Sequence, residues 1–245
     1  MSNIVISGAN EGIGFHMAKA LLEAGHRVAV LDIALDGASV LAETHPGSCL
    51  CIKADVRGSA ALERAVAEAA SSFGGIDAAV QNACLCPFES FADSTDETYL
   101  SVYYVNFLGA VHLARAALPH MNEGGRIAFT SSGVGVTGFP SLSAYASTKG
   151  AIEALAKCLR LEYPQYSFHI LHPPLTRTRS SSPLPVPKEF MLTPDVVGRG
   201  LARRLFSRRF IICHSAAQKL QTLLCYLAPL SLGSLMSKMT ARAGK

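Results

Sequence analysis

No tryptophan occurs in this chain of 245 residues, aromatic residues make up only 7%, and charged residues only 16%. The low charge comes with 49% apolar residues, which excludes wholesale disorder and leaves ample material for a core. Net charge is a mild +4. The late arginines (Arg177, Arg179, Arg199, Arg203, Arg204, Arg208, Arg209) are too sparse for a nucleic-acid footprint, and no aromatic residues interleave with them. Seven cysteines are an odd number without a framework of spacings. Cys49 and Cys51 fall within one strand, and Cys84-Leu-Cys86 has no second pair at zinc spacing, so free thiols are expected and no metal. The first residues, "MSNIVISGAN", show no basic region, apolar stretch or cleavage site of a secretion signal, so a cytoplasmic location is expected.

Short β-branched runs alternate with amphipathic stretches. Strands are expected at 3–7, "HRVAVLD", "SCLCIKADV", "GGIDAAVQNA", "GGRIAFTSS", "YSFHILHPP" and "RRFIICH". Helices are expected at 13–24, through "SAALERAVAEAASSF", and at 98–120, 143–163 and 194–206. This alternation predicts an α/β fold, a Rossmann-type doubly wound parallel sheet of seven strands with helices on both faces. A single domain over 1–245 is expected, with 214–245 as an apolar helical extension.

Two segments stand apart. "PPLTRTRSSSPLPVP", from Pro173 to Pro187, has no period and reads as a lid over the C-terminal edge of the sheet or as a plain connector. Leu220 to Ser237 carries no charge but is interrupted by Pro229 and Gly233, which predicts two short amphipathic helices broken at the proline. Covering the protein's own core is the preferred role for them. A partner subunit, or a membrane surface with Lys219, Lys238, Arg242 and Lys245 facing phosphates, are the alternatives.

The turn "SGANEGIG" follows the first strand and opens the first helix. Gly8, Gly12 and Gly14 let backbone approach a pyrophosphate, and a helix N-terminus offers it unpaired N–H groups. Asp32 ends the second strand, 18 residues after Gly14. A carboxylate there accepts hydrogen bonds from ribose hydroxyls and repels a 2′-phosphate. With Glu11 inside the turn, this favours NAD over NADP; the alternative is that Asp32 merely caps the next segment.

Further on, Tyr145 and Lys149 stand at i and i+4 of a predicted helix, on one face. A free phenol has a pKa of about 10, and bringing it to neutrality takes about 4 kcal/mol of preference for the phenolate. A nearby ammonium acts in that direction, so the pair is expected to form a titratable acid/base; the alternative is a shared solvated face.

Several motifs, in order, resemble the short-chain dehydrogenase/reductase family over residues 3–213. They are the glycine turn, Asp55-Val56, "GGIDAAVQNAC", Asn106 in "YVNFLGA", Ser132 standing 13 residues before Tyr145, Lys149, and Pro173-Pro174 followed by Thr178. The resemblance implies a nicotinamide cofactor held by Gly8, Asn10, Glu11, Gly12, Ile13, Gly14, Asp32, Asp55, Val56, Asn82, Ala83, Tyr145, Lys149, Pro173 and Thr178. It implies that Tyr145 exchanges a proton with the substrate oxygen, that Ser132 holds that oxygen, that Lys149 bonds the nicotinamide ribose, and that Asn106 positions a water linked to Lys149. The implied reaction interconverts a carbonyl and a secondary alcohol on a small molecule, apolar ones included. A homodimer or homotetramer is implied as well. A non-catalytic nucleotide-binding or scaffold protein on the same fold is the alternative. Cys84 and Pro174 replace two glycines of the family pattern, which bears on cofactor affinity rather than on reaction type.

Overall fold

The first strand, β1 (Asn3–Ser7), is buried along its whole length, as a central parallel strand must be. Six more follow: β2 (Arg27–Asp32), β3 (Cys49–Lys53), β4 (Ile76–Gln81), β5 (Met121–Thr130), β6 (Ser167–His172) and β7 (Ile211–Cys213). The computed structural model describes residues 1–243. Among these residues the strands form one sheet in the order β3-β2-β1-β4-β5-β6-β7, parallel throughout, which is the expected doubly wound arrangement. The order reverses between β1 and β4. The crevice outside their C-terminal ends is where ligands bind in such sheets.

The connecting helices are α1 (Gly12–Glu23), α2 (Ser39–Thr44), α3 (Ser59–Phe73), α4 (Asp96–Tyr103), α5 (Gly109–Ala117), α6 (Val134–Thr137), α7 (Ser143–Glu162), α8 (Pro194–Ala202), α9 (Ala216–Leu227) and α10 (Pro229–Ala243). Helices α3, α5 and α7 pack on one face of the sheet around Leu62, Leu113, Phe129 and Ile152. Helices α1 and α8 pack on the other around Met17, Leu21, Val197 and Leu201. Burial of these aliphatic side chains, at about 1.5–3 kcal/mol each, is what holds the layers together.

Three expectations need adjustment. The helix foreseen over 98–120 is interrupted by a π-helical turn at Tyr104–Leu108, which contains Asn106. The short α2 and α6 carry too few residues for a period to be visible in the sequence. The segment from Pro173 is not structureless: Thr178 opens a short turn at Arg179–Ser181 with a reciprocal capping box, and Thr176 pairs with Leu192.

The tail forms two helices with the break at Ala228 and Pro229 at the first position of α10, as expected. They bend by 116° against each other, and among the described residues no single helix is long and apolar enough to cross a membrane. They do pack on the fold, but not through their leucines. Leu220, Leu223, Leu224 and Leu227 face outward, while Thr222, Cys225 and Gly233 are buried. Small and polar residues seat these helices, because a Cβ on Gly233 would lie 2.6 Å from the Thr137 carbonyl and Tyr226 reaches a buried carboxylate.

Candidate active site

At the C-terminal end of β1, Gly8 adopts φ +68° and lies so close to Ala83 that any side chain would collide with that backbone. Asn82 closes the same junction, its amide donating to the Gly8 carbonyl at 2.7 Å. The turn then runs into α1, whose N-cap residue Glu11 supplies no side-chain cap. The N–H groups of Gly12, Ile13 and Gly14 at that end remain available to an anion. Thr178 of the lid sits against Gly12, 3.4 Å from where a side chain would begin. A glycine cradle, an uncapped helix start and a lid residue over both suit the pyrophosphate of a dinucleotide.

Asp32, at the end of β2, accepts the Asn10 N–H at its Oδ2 at 3.0 Å. The Asn10 side chain is spent on the next loop, accepting from Gly37 N at 2.8 Å and Ala38 N at 2.9 Å. Asp55 is held by Arg57, whose Nε lies 2.9 Å from Oδ2, and this pairing keeps its carboxyl below the usual range. Val56 packs against Gly109 of α5, and its carbonyl meets His112 Nδ1 at 2.9 Å. Both residues after β3 therefore have partners within the protein.

Across the switch point, β5 leads into Ser132 and α7 carries Tyr145 and Lys149. Lys149 is wholly buried, donates to the Thr130 carbonyl at 2.8 Å, and places its Nζ 5.4 Å from the centre of the Tyr145 ring. The three residues converge, as their spacing predicted. In this arrangement burial opposes the expected acidification of the phenol. Burial of its hydroxyl, then the thiols of Cys84 and Cys86, push the Tyr145 pKa well up, and only Ser132 pulls it down. The lysine faces the ring and a carbonyl rather than the phenolic oxygen, and burial lowers its own pKa. Desolvation outweighs the charge that the sequence alone suggested.

Asn106 is fully buried, and its amide is committed to the protein. Its Oδ1 accepts from Leu85 N at 2.8 Å, and its Nδ2 donates to Leu85 O at 3.0 Å and to Thr148 Oγ1 at 3.1 Å. The π-turn thus clamps the loop after β4 to α7. That loop brings Cys84 and Cys86 near Tyr145 and Lys149, where burial raises the Cys86 thiol to about 12. Neither cysteine was singled out for this site from sequence; only the glycine-to-cysteine departure at Cys84 hinted at it.

A second group was missed altogether. One turn beyond Lys149 on α7, Glu153 is 6% exposed and accepts hydrogen bonds from Ser131 at 2.8 Å and from Tyr226 of α9 at 2.8 Å. His172, wholly buried beside Pro173, places Nε2 3.1 Å from Glu153 and 3.0 Å from the Tyr226 oxygen. The Nε2–H tautomer satisfies both contacts and leaves Nδ1 without a partner among the described residues. Burial alone would raise the Glu153 pKa; the bonds from His172, Tyr226 and Ser131 outweigh it and hold it below the usual value. The signal available was Glu153 at i+4 from Lys149, on the same helix face; its partners are too distant in sequence to suggest themselves. His172 belongs to this group as well.

Comparison with known proteins bears on the family and the fold. The family model of the short chain dehydrogenases matches residues 2–186. Oxidoreductase UcpA of Salmonella typhimurium is 36% identical over 172 residues, covering 68% of this chain and 65% of that protein. Versicolorin reductase 1 of Aspergillus parasiticus is 34% identical over 163 residues, covering 64% and 62%. The matched part is therefore under two thirds of the length of these relatives. Among solved structures, an alcohol dehydrogenase from Thermococcus sibiricus complexed with 5-hydroxy-NADP superposes with a TM-score of 0.79 at 26% identity, over 86% of this chain and 94% of that one. A 3-ketoacyl-(acyl-carrier-protein) reductase from Brucella melitensis complexed with NADH gives 0.77 at 25% identity, over 86% and 93%. Sequence and architecture agree, and the chain belongs to the short-chain dehydrogenase/reductase family.

Proposed function

We propose that the protein is an oxidoreductase that interconverts a carbonyl and a secondary alcohol on a small molecule, with a nicotinamide dinucleotide as the hydride carrier. The observation that carries this reading is the meeting of Ser132, Tyr145 and Lys149 across the switch point from the glycine cradle. When bound, the nicotinamide supplies or accepts the hydride. Tyr145 gives its proton to the substrate oxygen in the reducing direction and takes it back in the other. Ser132 donates a hydrogen bond to the same oxygen and offsets the charge developing there. Lys149 sets the field under the phenol ring, and Asn106 holds the Leu85 and Thr148 backbone and hydroxyl that frame the pair.

Because Tyr145 is held well above its ordinary value, the phenol is protonated at neutral pH. The reduction rate should stay level through neutral pH and fall only on the alkaline side, where the phenol ionises. Asp32, with no cation beside it in the turn, favours NAD; the solved relatives include complexes with NADH and with an NADP derivative. The free cysteines fit a reducing, cytoplasmic setting. We read 214–245 as an extension of the same domain, and exposed Leu100, Tyr103 and Tyr104 on α4 and the π-turn as the face for the expected oligomer.

The test is Tyr145→Phe in a substrate screen followed by NADH absorbance. Turnover should fall by about a hundredfold to ten-thousandfold with NADH binding retained. Unchanged turnover would remove Tyr145 as proton donor. NADH binding with no turnover of any carbonyl or alcohol by the unmutated protein would favour the non-catalytic alternative.

A further inference from the structure

Helix α9 turns its most apolar side away from the protein. Leu220, Leu223, Leu224 and Leu227, spaced i, i+3, i+4 and i+7, are exposed by 62%, 41%, 45% and 80%. After the 116° bend α10 adds exposed Leu235 at 51% and Met239 at 63%, four residues apart on one helix face. A helix of a globular protein normally buries such a stripe. Here the inward positions are Thr222, Cys225 and Gly233, and the Tyr226–Glu153 bond fixes the helix in that orientation.

Charge in this part of the chain is one-sided. From Val196 to the last residue there are nine Lys and Arg and no Asp or Glu. Arg204, Arg209 and Lys219 line a groove of about 360 Å³ at the start of α9, beside Ser215 and Ala216. Lys219 lies four residues before Leu223, on the same side of the helix, so the cationic groove runs into the leucine stripe. Arg203, Arg208 and Arg209 are exposed and form no ion pair among the described residues.

We infer that the outer face of α9 and α10, with the cationic groove beside it, is a docking surface for an anionic lipid bilayer. A row of exposed leucines flanked by basic residues, on two helices neither of which is long enough to cross by itself and which meet at 116°, suits a position in the plane of the interface. Acidic headgroups complement the groove while the leucines enter the acyl boundary. A second copy suits the face less well, because an isologous contact would set two surfaces without a carboxylate against each other. The surface also lies close to the chemistry. Gly233 of α10 packs on Thr137 of α6, the helix that follows Ser132, so docking would bring the substrate side of the sheet near the bilayer.

The experiment is sedimentation of the full chain with vesicles of phosphatidylcholine alone and of phosphatidylcholine with about one third phosphatidylserine. The protein should pellet with the serine-containing vesicles only, and salt should release it. Leu220→Ser, Leu224→Ser and Leu227→Ser together should weaken this binding by about tenfold or more, with the thermal melt unchanged since these positions are exposed. Arg209→Gln with Lys219→Gln should weaken it and flatten its salt dependence. The inference is overturned if the unmutated protein stays in solution with both vesicles, pellets equally with both, or pellets unaffected by the leucine substitutions. It is equally overturned if ultracentrifugation shows a dimer that the leucine substitutions dissociate while no vesicle binding occurs. None of these readouts needs turnover, so they stand or fall apart from the oxidoreductase reading.

Discussion

Helix α7 draws Lys149 and Glu153 into the interior, with 0% and 6% of their surface exposed, while α9 sets Leu227 out at 80%. Both helices are amphipathic in sequence, and each departs from the usual apolar-in, polar-out arrangement, in opposite directions. In α7 the inward charges have partners: a carbonyl for the lysine, and His172, Ser131 and Tyr226 for the glutamate. In α9 the outward leucines have none among the described residues. Burying a charge costs several kcal/mol unless it is compensated, so the α7 arrangement persists only because hydrogen bonds offset it. Exposing a leucine costs far less, so the α9 arrangement needs no compensation to exist, only a partner to be useful.

The largest effect should come from the most deeply buried charge. Lys149→Met should lower turnover by about a hundredfold to ten-thousandfold, yet leave the melting temperature no lower, because an ammonium with one carbonyl partner contributes little net stability. Steady-state rates and a thermal melt on the same preparation check both halves. A marked loss of stability would mean that the lysine holds the fold rather than the chemistry.

Next comes the close approach of α6 to α7. A methyl on Gly135 would lie 2.7 Å from the Lys149 Cβ and 3.0 Å from its backbone carbon. Gly135→Ala should displace the lysine or the Ser132 loop, lowering turnover at least about tenfold and stability by about 1–3 kcal/mol. Chemical denaturation and kinetics give the two numbers.

Tyr226→Phe probes the point where the two regions touch. It removes one of the bonds that hold the buried Glu153 carboxylate, at a cost of about 1–3 kcal/mol. The pH dependence adds a second reading. The Glu153 pKa is depressed, so its contribution is full above the ordinary glutamate value of about 4.3 and is lost as pH falls through the folded value. In Tyr226→Phe the folded value rises, and the acid side of the stability profile flattens. Denaturation midpoints measured across the acid range would show it.

The smallest effect should be that of Leu227→Ser alone, within about 0.5 kcal/mol of the unmutated protein, because its side chain contacts little. A loss of several kcal/mol would mean that α9 buries this face after all, and the contrast with α7 would disappear.

Legibility in the sequence followed the range of the contacts. The Tyr145–Lys149 pair was visible because the helix itself places residues four apart on one face. The glycine turn was visible because strand, turn and helix are consecutive. The break at Pro229 followed from the missing N–H of proline. The direction of the Tyr145 shift was not visible, because it depends on Cys84 and Cys86, brought in through Asn106 from another part of the chain. Nor was the orientation of α9, since helical spacing shows that a face is apolar but not which way it turns.

By itself the amino-acid order determined the parallel sheet, the phosphate-sized turn at the end of β1 and the spacing of Ser132, Tyr145 and Lys149, since each of these is written in local geometry and hydrophobic period. Only the folded chain decided that Glu153 and Tyr226, 73 residues apart, share a hydrogen bond, that Cys84 and Cys86 come near Tyr145, and that the tail shows its leucines to the outside. The physical reason is desolvation. Whether a charge, a phenol or a leucine meets water depends on what distant segments cover it, and no period along the chain records that.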